Sequence, residues 1–411
     1  MKTGKKLMNL IKNLIKKINK KSLTNFAKSA VSKYKNCAIN TILVLVSLVF
    51  CVAILEVGSK VLYSKIAPEK GRKTIDALVF NNQATGNFGD GAAISEIEIL
   101  PYYLYRNKPL SKIEGVQQVN SEGYRNGNKE FGKKAKGTIR IITIGGSTTF
   151  GWLIKDYQQT WPSQLEEILN KKFSGKVEVI NAGLPGGMSS ESLLAFVMKD
   201  KYLEPDVVIF HNGGNDLAPL LYDDYYPDYR YHRAVVGGDK LRPGEKKIIA
   251  KSHFVKLLYA FWLKDSTPSS LRSDPEKQVE LKQAIANVKK HSPIGFERNM
   301  TTLIQESKGV GADVVLFPFH LASDKIYEVV PEPMRYAQKL HPAMVMAIAK
   351  NKEVLKALAK KYNLPYHEMA ADRIPLEDFF DHCHMKPEGD RMKAEFIAQY
   401  VAPIVEKRLK R

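Results

Sequence analysis

Hydrophobic and polar positions fall into three regimes along the 411-residue chain. In the first, Leu7, Leu10, Ile11, Leu14, Ile15 and Ile18 recur at i, i+3, i+4 spacing among lysines. That pattern predicts a basic amphipathic helix lying on an anionic membrane face, with a solvated lysine-rich tail as the alternative. In the second, the 18 residues Ala38 to Leu55 carry no charge, and their polar members are Asn40, Thr41 and Ser47. As a helix rising 1.5 Å per residue they span about 27 Å, close to a hydrocarbon core of about 30 Å. The third regime begins at Gly137, where β-branched runs alternate with segments of helical period.

The alternation predicts strands at Ile139–Ile144, Val177–Asn181, Asp206–Phe210 and Asp313–Phe317, and a short fifth at Leu364–His367. Helices are expected at Thr160–Lys172, Ser189–Tyr202, Phe296–Lys308, Val345–Tyr362 and Pro387–Leu409. The first opens on Trp161-Pro162 and carries the apolar stripe Leu165, Ile168, Leu169. Strand–helix alternation of this kind argues for an α/β fold: a three-layer, doubly wound, mostly parallel five-stranded sheet. The expected organisation is a basic tail (1–36), an anchor and stem (37–62), a linker and irregular flank (63–136), and a globular domain (137–411). Within the flank, Asn82 to Ala93 reads as a glycine-bearing loop and Val119 to Arg125 as a turn. The domain is interrupted by an insertion over 218–293 that contains Tyr222, Tyr225, Tyr226, Tyr229, Tyr231, Tyr259, Phe261 and Trp262. After a loop at the carboxyl edge of the sheet, it would overlie that edge, either as a carbohydrate-stacking lid or as a packed helical excursion.

Charge sharpens the anchor reading. The formal net charge is +20, and eleven lysines with no carboxylate stand in the first 36 residues. No nucleic-acid recognition motif or aromatic platform accompanies them, so the bilayer is the expected partner, through residues 38–55. Lysines on the amino side put the N-terminus in the cytoplasm and everything after Leu55 across the membrane, facing a bacterial periplasm. A cleaved signal peptide would be shorter and end in a small-residue site. Glu56-Val57-Gly58-Ser59-Lys60 offers none, so an uncleaved single-pass anchor is expected. Val49-Phe50-Cys51 lacks the small residue expected before a lipidated cysteine. Of the three cysteines, Cys37 and Cys51 belong to or border the anchor, leaving Cys383 without a disulfide partner in the domain. No CxxC or His/Cys cluster suggests a metal, and no cofactor is implied.

Candidate chemistry collects at strand ends. In Ile139-Arg140-Ile141-Ile142-Thr143-Ile144-Gly145-Gly146-Ser147-Thr148-Thr149, two glycines turn the backbone, and Ser147 begins a helix. A serine there is either a helix cap or a group in reach of free backbone N–H donors at the sheet's carboxyl edge. The second strand ends in Asn181-Ala182-Gly183-Leu184-Pro185-Gly186-Gly187, and the third in His211-Asn212-Gly213-Gly214-Asn215-Asp216. Near the C-terminus, Asp381-His382-Cys383-His384 precedes the last helix. Three residues on a turn let Asp381 set the tautomer of His384, whose other ring nitrogen can then take a serine proton. His382 and His320 are rival imidazoles. Asp216 is expected to brace its loop, and Lys155 and Lys386 to be solvated.

G-G-S-T-T, N-A-G-x-P-G, G-x-N-D and D-x-x-H, in this order, resemble the four blocks of the SGNH (GDSL-type) hydrolases over Asn120 to Leu409. The first block has Gly-Gly-Ser where the eponymous motif has Gly-Asp-Ser. It is also not the G-x-S-x-G elbow, because Thr149 holds the last position. The resemblance implies a flavodoxin-like SGNH fold and a catalytic Ser147, His384 and Asp381. It further implies an oxyanion hole from the N–H groups of Ser147 and Gly183 and the Asn215 amide. The expected activity is serine ester hydrolysis through an acyl-enzyme, removing acetyl or another small acyl group from a cell-envelope glycan or lipid. An O-acyltransferase sharing that intermediate and a non-catalytic envelope-assembly protein are the alternatives.

Overall fold

A computed structural model describes residues 12, 20–68, 72, 75, 97–100, 104–229, 248–262, 279–335, 337–370 and 372–410. The expected amphipathic stretch Leu7–Ile18 (Lys12 apart), the loop Asn82–Ala93, and Tyr231 within the insertion lie outside the described residues. The chain enters as one long helix, α1 (Lys20–Lys65), whose apolar side chains from Ile39 to Leu55 face outward. Two antiparallel hairpins follow, β1 (Ile97–Leu100) with β2 (Leu104–Asn107), and β3 (Lys112–Ile113) with β4 (Val116–Gln117).

Then come β5 (Ile139–Gly145), α2 (Ser147–Phe150), α3 (Trp161–Phe173), β6 (Val177–Gly183), α4 (Ser189–Met198) and β7 (Val207–His211). The insertion holds α5 (His253–Trp262) and α6 (Leu281–Lys290); α7 (Ile294–Gly309), β8 (Asp313–Leu316), a single helical turn at Ile326–Val329, α8 (His341–Tyr362) and α9 (Pro387–Leu409) follow. The sheet is parallel, with strand order β6-β5-β7-β8.

All of β5 is buried, and successive residues serve opposite faces, as the two-residue period requires. Ile142, Ile144, Ile180, Val208 and Phe210 meet Phe196 of α4, Phe296 and Met300 of α7, and Leu355 of α8. Ile141, Val179, Val207 and Ile209 meet Trp161 and Leu165 of α3, and Phe396, Ile397 and Val401 of α9. These are the three expected layers.

The five-stranded expectation needs a correction. Leu364–His367 contributes one parallel bridge, Tyr366 to Leu316, rather than a strand. Pro365 has no N–H to give, and Leu364 N–H donates instead to Ala359 O at the end of α8 (2.9 Å). Only Leu316 N–H to Pro365 O (3.0 Å) and His367 N–H to Leu316 O (3.0 Å) remain. The Ser189–Tyr202 helix also stops early, at Met198, with a 3-10 turn over Asp200–Leu203.

Residues 104–136 of the flank are more ordered than their weak pattern predicts. Arg125 N–H donates to Asn181 O (3.0 Å), and the Asn126 amide exchanges bonds with Val179 O and Asn181 N (2.9 Å each), lining this segment along β6. Val119–Arg125 is a turn as expected: Asn120 Oδ1 accepts from Glu122 and Tyr124 N–H, and Gly123 has φ +91°. Within the insertion, α6 buries Ala284 and Val288 against Leu220, Leu221, Ala343 and Ala347, as a packed excursion would. Tyr222 and Tyr229 are buried and so offer no open stacking face.

Candidate active site

The register of the sheet places the ends of β5, β6 and β7 side by side, with Gly145 opposite both Gly183 and His211. Immediately after, Gly146 turns the chain into α2, whose first residue is Ser147. A side chain on Gly146 would put its Cβ 2.8 Å from Asn215 Nδ2 and 3.3 Å from Gly187 O. The glycine is therefore what lets Asn215 approach the serine from the next loop. Asn215 Nδ2 spends one hydrogen on Gly187 O (2.8 Å), which fixes the amide and leaves its second hydrogen for another acceptor.

His384 Nε2 lies 2.8 Å from Ser147 Oγ, across 237 residues of sequence. Its Nδ1 lies 2.7 Å from Asp381 Oδ2. The other carboxylate oxygen accepts the N–H groups of Cys383 (2.9 Å) and His384 (2.8 Å), so Asp381 is held at both ends. Burial alone would raise this fully enclosed carboxyl. The adjacent His384 and His382 rings, with the hydrogen bonds from His384, outweigh that and hold it far below the ordinary carboxylate range. A permanent anion thus faces the inner nitrogen of His384 and favours the tautomer whose outer nitrogen can accept the Ser147 proton.

The rival imidazoles sit elsewhere. His382 is buried, 4.0 Å from Asp381 Oδ1, and its carbonyl accepts Ala322 N–H. Burial pushes its pKa down to about 4. His320 stacks on Phe379 at 6.0 Å and is likewise lowered to about 4 by burial. The structure brings His384, and neither of these, to Ser147.

One expected oxyanion donor is displaced. Gly183 N–H already donates to Asn181 Oδ1 (3.0 Å), and a Cβ at Gly183 would lie 2.1 Å from the backbone nitrogen of Phe150. Gly183 is thus a packing glycine under α2, not a donor. The following turn, Leu184–Gly187, closes with Gly187 N–H to Leu184 O (2.8 Å) and puts Gly186 at φ +70°. Pro second and a positive-φ glycine third make the pattern of a type II turn, in which Leu184 O is taken by Gly187 N–H and not by Gly186 N–H. Gly186 is therefore the better candidate, beside the loop that Asn215 grips.

Asp216 braces as expected. It accepts Ser189 N–H (3.0 Å) and the Ser189 hydroxyl at the start of α4, and burial raises its pKa to about 6. Three further residues were invisible to motif reasoning. The Trp152 ring packs 4.9 Å from that of His384, tilted 59°. Asn107 Nδ2 donates to Gly183 O (3.0 Å). Arg125, fully buried, donates to Gly151 O (3.1 Å) and Ile154 O and lies 4.3 Å over the Phe150 ring. It ties down the loop that carries Trp152.

As a metal site the region is poor. Ligand atoms of Asp381, His382 and Cys383 lie within 4.8 Å of one another. However, both Asp381 oxygens are committed to His384 and its neighbours, and burial followed by the Asp381 charge pushes the Cys383 thiol up, away from the thiolate a metal needs.

Residues 143–392 match the GDSL-like lipase/acylhydrolase family, more than half of the chain. The chain belongs to that family. This GDSL-type protein is thereby a carboxylester hydrolase by family, and the matched segment contains all of the strand-end residues described above. No curated protein matches the chain. Among solved structures, it is similar to an acylhydrolase of Bacteroides fragilis at 16% identity and a TM-score of 0.37, over 68% of this chain and 92% of that one. It is similar to the carbohydrate acetylesterase Est24 of Sinorhizobium meliloti at 17% identity and a TM-score of 0.38, over 65% and 99%. For the acetyl xylan esterase AlAXEase the values are 15% and 0.36, over 64% and 100%.

Within this GDSL-type site, Asn215→Ala is expected to lower kcat by about 10²–10³ with little change in KM, the usual effect of losing one oxyanion donor. Steady-state kinetics on an aryl ester checks this; a change confined to KM would assign Asn215 to substrate binding instead.

Proposed function

We propose that this chain is a membrane-anchored serine esterase that removes acetyl or another small acyl group from a glycan or lipid of the cell envelope. The observation that carries the chemistry is the line from Asp381 Oδ2 through His384 to Ser147 Oγ, at 2.7 and 2.8 Å. Ser147 Oγ attacks the acyl carbonyl as its proton passes to His384 Nε2. The oxyanion that develops is met by the Ser147 N–H, the free hydrogen of Asn215 Nδ2 and the Gly186 N–H. Collapse breaks the ester C–O bond. His384 returns the proton to the departing alcohol, leaving an acyl-Ser147 that a water, activated by the same imidazole, then hydrolyses.

The envelope location rests on the central part of α1, Ile39–Leu55. It exposes an apolar, outward-facing stretch behind eleven lysines, which favours a cytoplasmic N-terminus and an extracytoplasmic catalytic domain. The full-length protein, offered a short-chain aryl ester with and without a free polysaccharide, is expected to release the alcohol in water alone. Release that depends on added polysaccharide would replace hydrolysis with O-acyl transfer.

A further inference from the structure

The helix α1 is longer than a bilayer requires. The candidate span within it, Ile39–Lys65, has 27 residues, or about 40 Å at 1.5 Å per residue, against about 30 Å of hydrocarbon. With the uncharged run filling the core, the turns from Glu56 onward stand at the headgroup level, or the helix tilts to bring them there. Along those turns lies α5, a helix from the insertion nearly two hundred residues downstream.

The attachment is specific. Glu56, the first charged residue after the uncharged run, accepts His253 N–H (2.7 Å) and the Ser252 hydroxyl, capping the start of α5. Ser252 Oγ also receives Val255 N–H (3.2 Å). A carboxylate at the edge of the hydrocarbon, costly if left alone, is thereby satisfied by a helix N-terminus. Behind this cap, Ala260 is buried in a small core with Ala67 and Ile249, flanked by Tyr63, Val255 and Tyr259. That core uses only one side of α5. On the other side Leu258, Phe261 and Trp262 recur at i, i+3, i+4 and are 53%, 43% and 65% exposed. They remain largely open, with Tyr259 of the same helix edge-on to the Trp262 ring at 5.5 Å, and Val57, Val61 and Leu62 on the neighbouring turns of α1 are exposed as well.

We infer that α5 is a membrane-contacting helix: its Leu258–Phe261–Trp262 face lies at the headgroup level of the same bilayer that α1 crosses. The inference rests on α1 being a membrane anchor. The occupant is lipid because α5 is fastened through Glu56 to the turns of α1 that directly follow the uncharged run, and those turns expose apolar side chains of their own. Trp and Phe are the side chains that gain most at that boundary, where an amphipathic ring meets both acyl chain and headgroup. Lys251, exposed two residues before the start of α5, suits an anionic headgroup. The insertion that carries α5 begins in the turn that carries Asn215. A bilayer contact there would hold the esterase site near the membrane plane and favour acyl groups on lipids or on glycans close to it.

The test uses the full-length protein in vesicles of phosphatidylcholine with a minority of phosphatidylglycerol. The Trp262 signal is the fluorescence of wild type minus that of Trp262→Phe, with Trp152 and Trp161 common to both. Phosphatidylcholine doxyl-labelled near the glycerol end of its chain is expected to quench this signal at least about twofold more than a label at the chain terminus. Acrylamide in the water should quench it weakly. Strong acrylamide quenching without lipid quenching would overturn the inference. Protection from both quenchers in a dimeric protein would do so too, by showing a second copy on the face. Release of the protein by an alkaline carbonate wash would instead mark failure of the anchor reading, whereas retention with a water-exposed Trp262 would fault this inference alone.

Discussion

Replacing Ser147 with alanine is expected to lower kcat on a soluble aryl ester by about 10⁴–10⁶ while leaving thermal stability nearly unchanged. The size of the loss follows from the covalent route. Without the hydroxyl there is no acyl-enzyme, and only binding and the oxyanion donors remain to assist water. The small effect on stability follows from the position. Ser147 is half-buried at the first residue of a four-residue helix, and its hydroxyl meets His384 rather than an enclosed backbone group. Circular dichroism melts run alongside the kinetics would separate the two effects. An active Ser147→Ala protein would place the nucleophile elsewhere.

The second large effect concerns the two histidines flanking Cys383. His384→Ala is expected to cost about 10⁴–10⁶ in kcat, close to the serine deletion, because triad members act as a unit. In the same assay His382→Ala should stay within about tenfold of wild type per folded molecule. The two rings are two residues apart and both are buried, so burial does not distinguish them; direction does. His384 bridges Asp381 and Ser147, whereas His382, lowered to about 4 by burial, stays neutral with its Nδ1 4.0 Å from Asp381 Oδ1. His382→Ala should mainly cost stability, on the order of 2 kcal/mol for removing an enclosed ring. Imidazole added to His384→Ala gives a further check, since a small base in the vacated space should restore part of the rate.

What could be read from the amino acids was what repeats. The runs Ile139–Gly145 and Val207–His211 announce buried parallel strands because both of their faces are apolar, and the long apolar run before Glu56 announces a helix long enough to cross a bilayer. The order of the strand-end residues, with Asp381 three before His384, was equally legible, because a carboxylate–imidazole turn is a local arrangement. Gly183 and Gly186 were not separable. Both lie in one glycine-rich loop, and which N–H is free depends on Asn181 folding back and on how α2 packs over β6. The fifth strand was overdrawn because Leu364–His367 has strand-like residues but Pro365 lacks a ladder donor. Arg125, Asn126 and Asn107 gave no periodic signal, since they act by side-chain bonds to backbone carbonyls far away in the chain. The exposed face of α5 has helical spacing, but its meaning depends on Glu56, almost two hundred residues earlier.

The most direct test of the serine mechanism is to treat the full-length protein with a fluorophosphonate and map the adduct by peptide mass spectrometry. A single phosphonyl group on the peptide containing Ser147, absent from His384→Ala, is the predicted result. An adduct on any other residue, or equal labelling of Ser147→Ala, would contradict it.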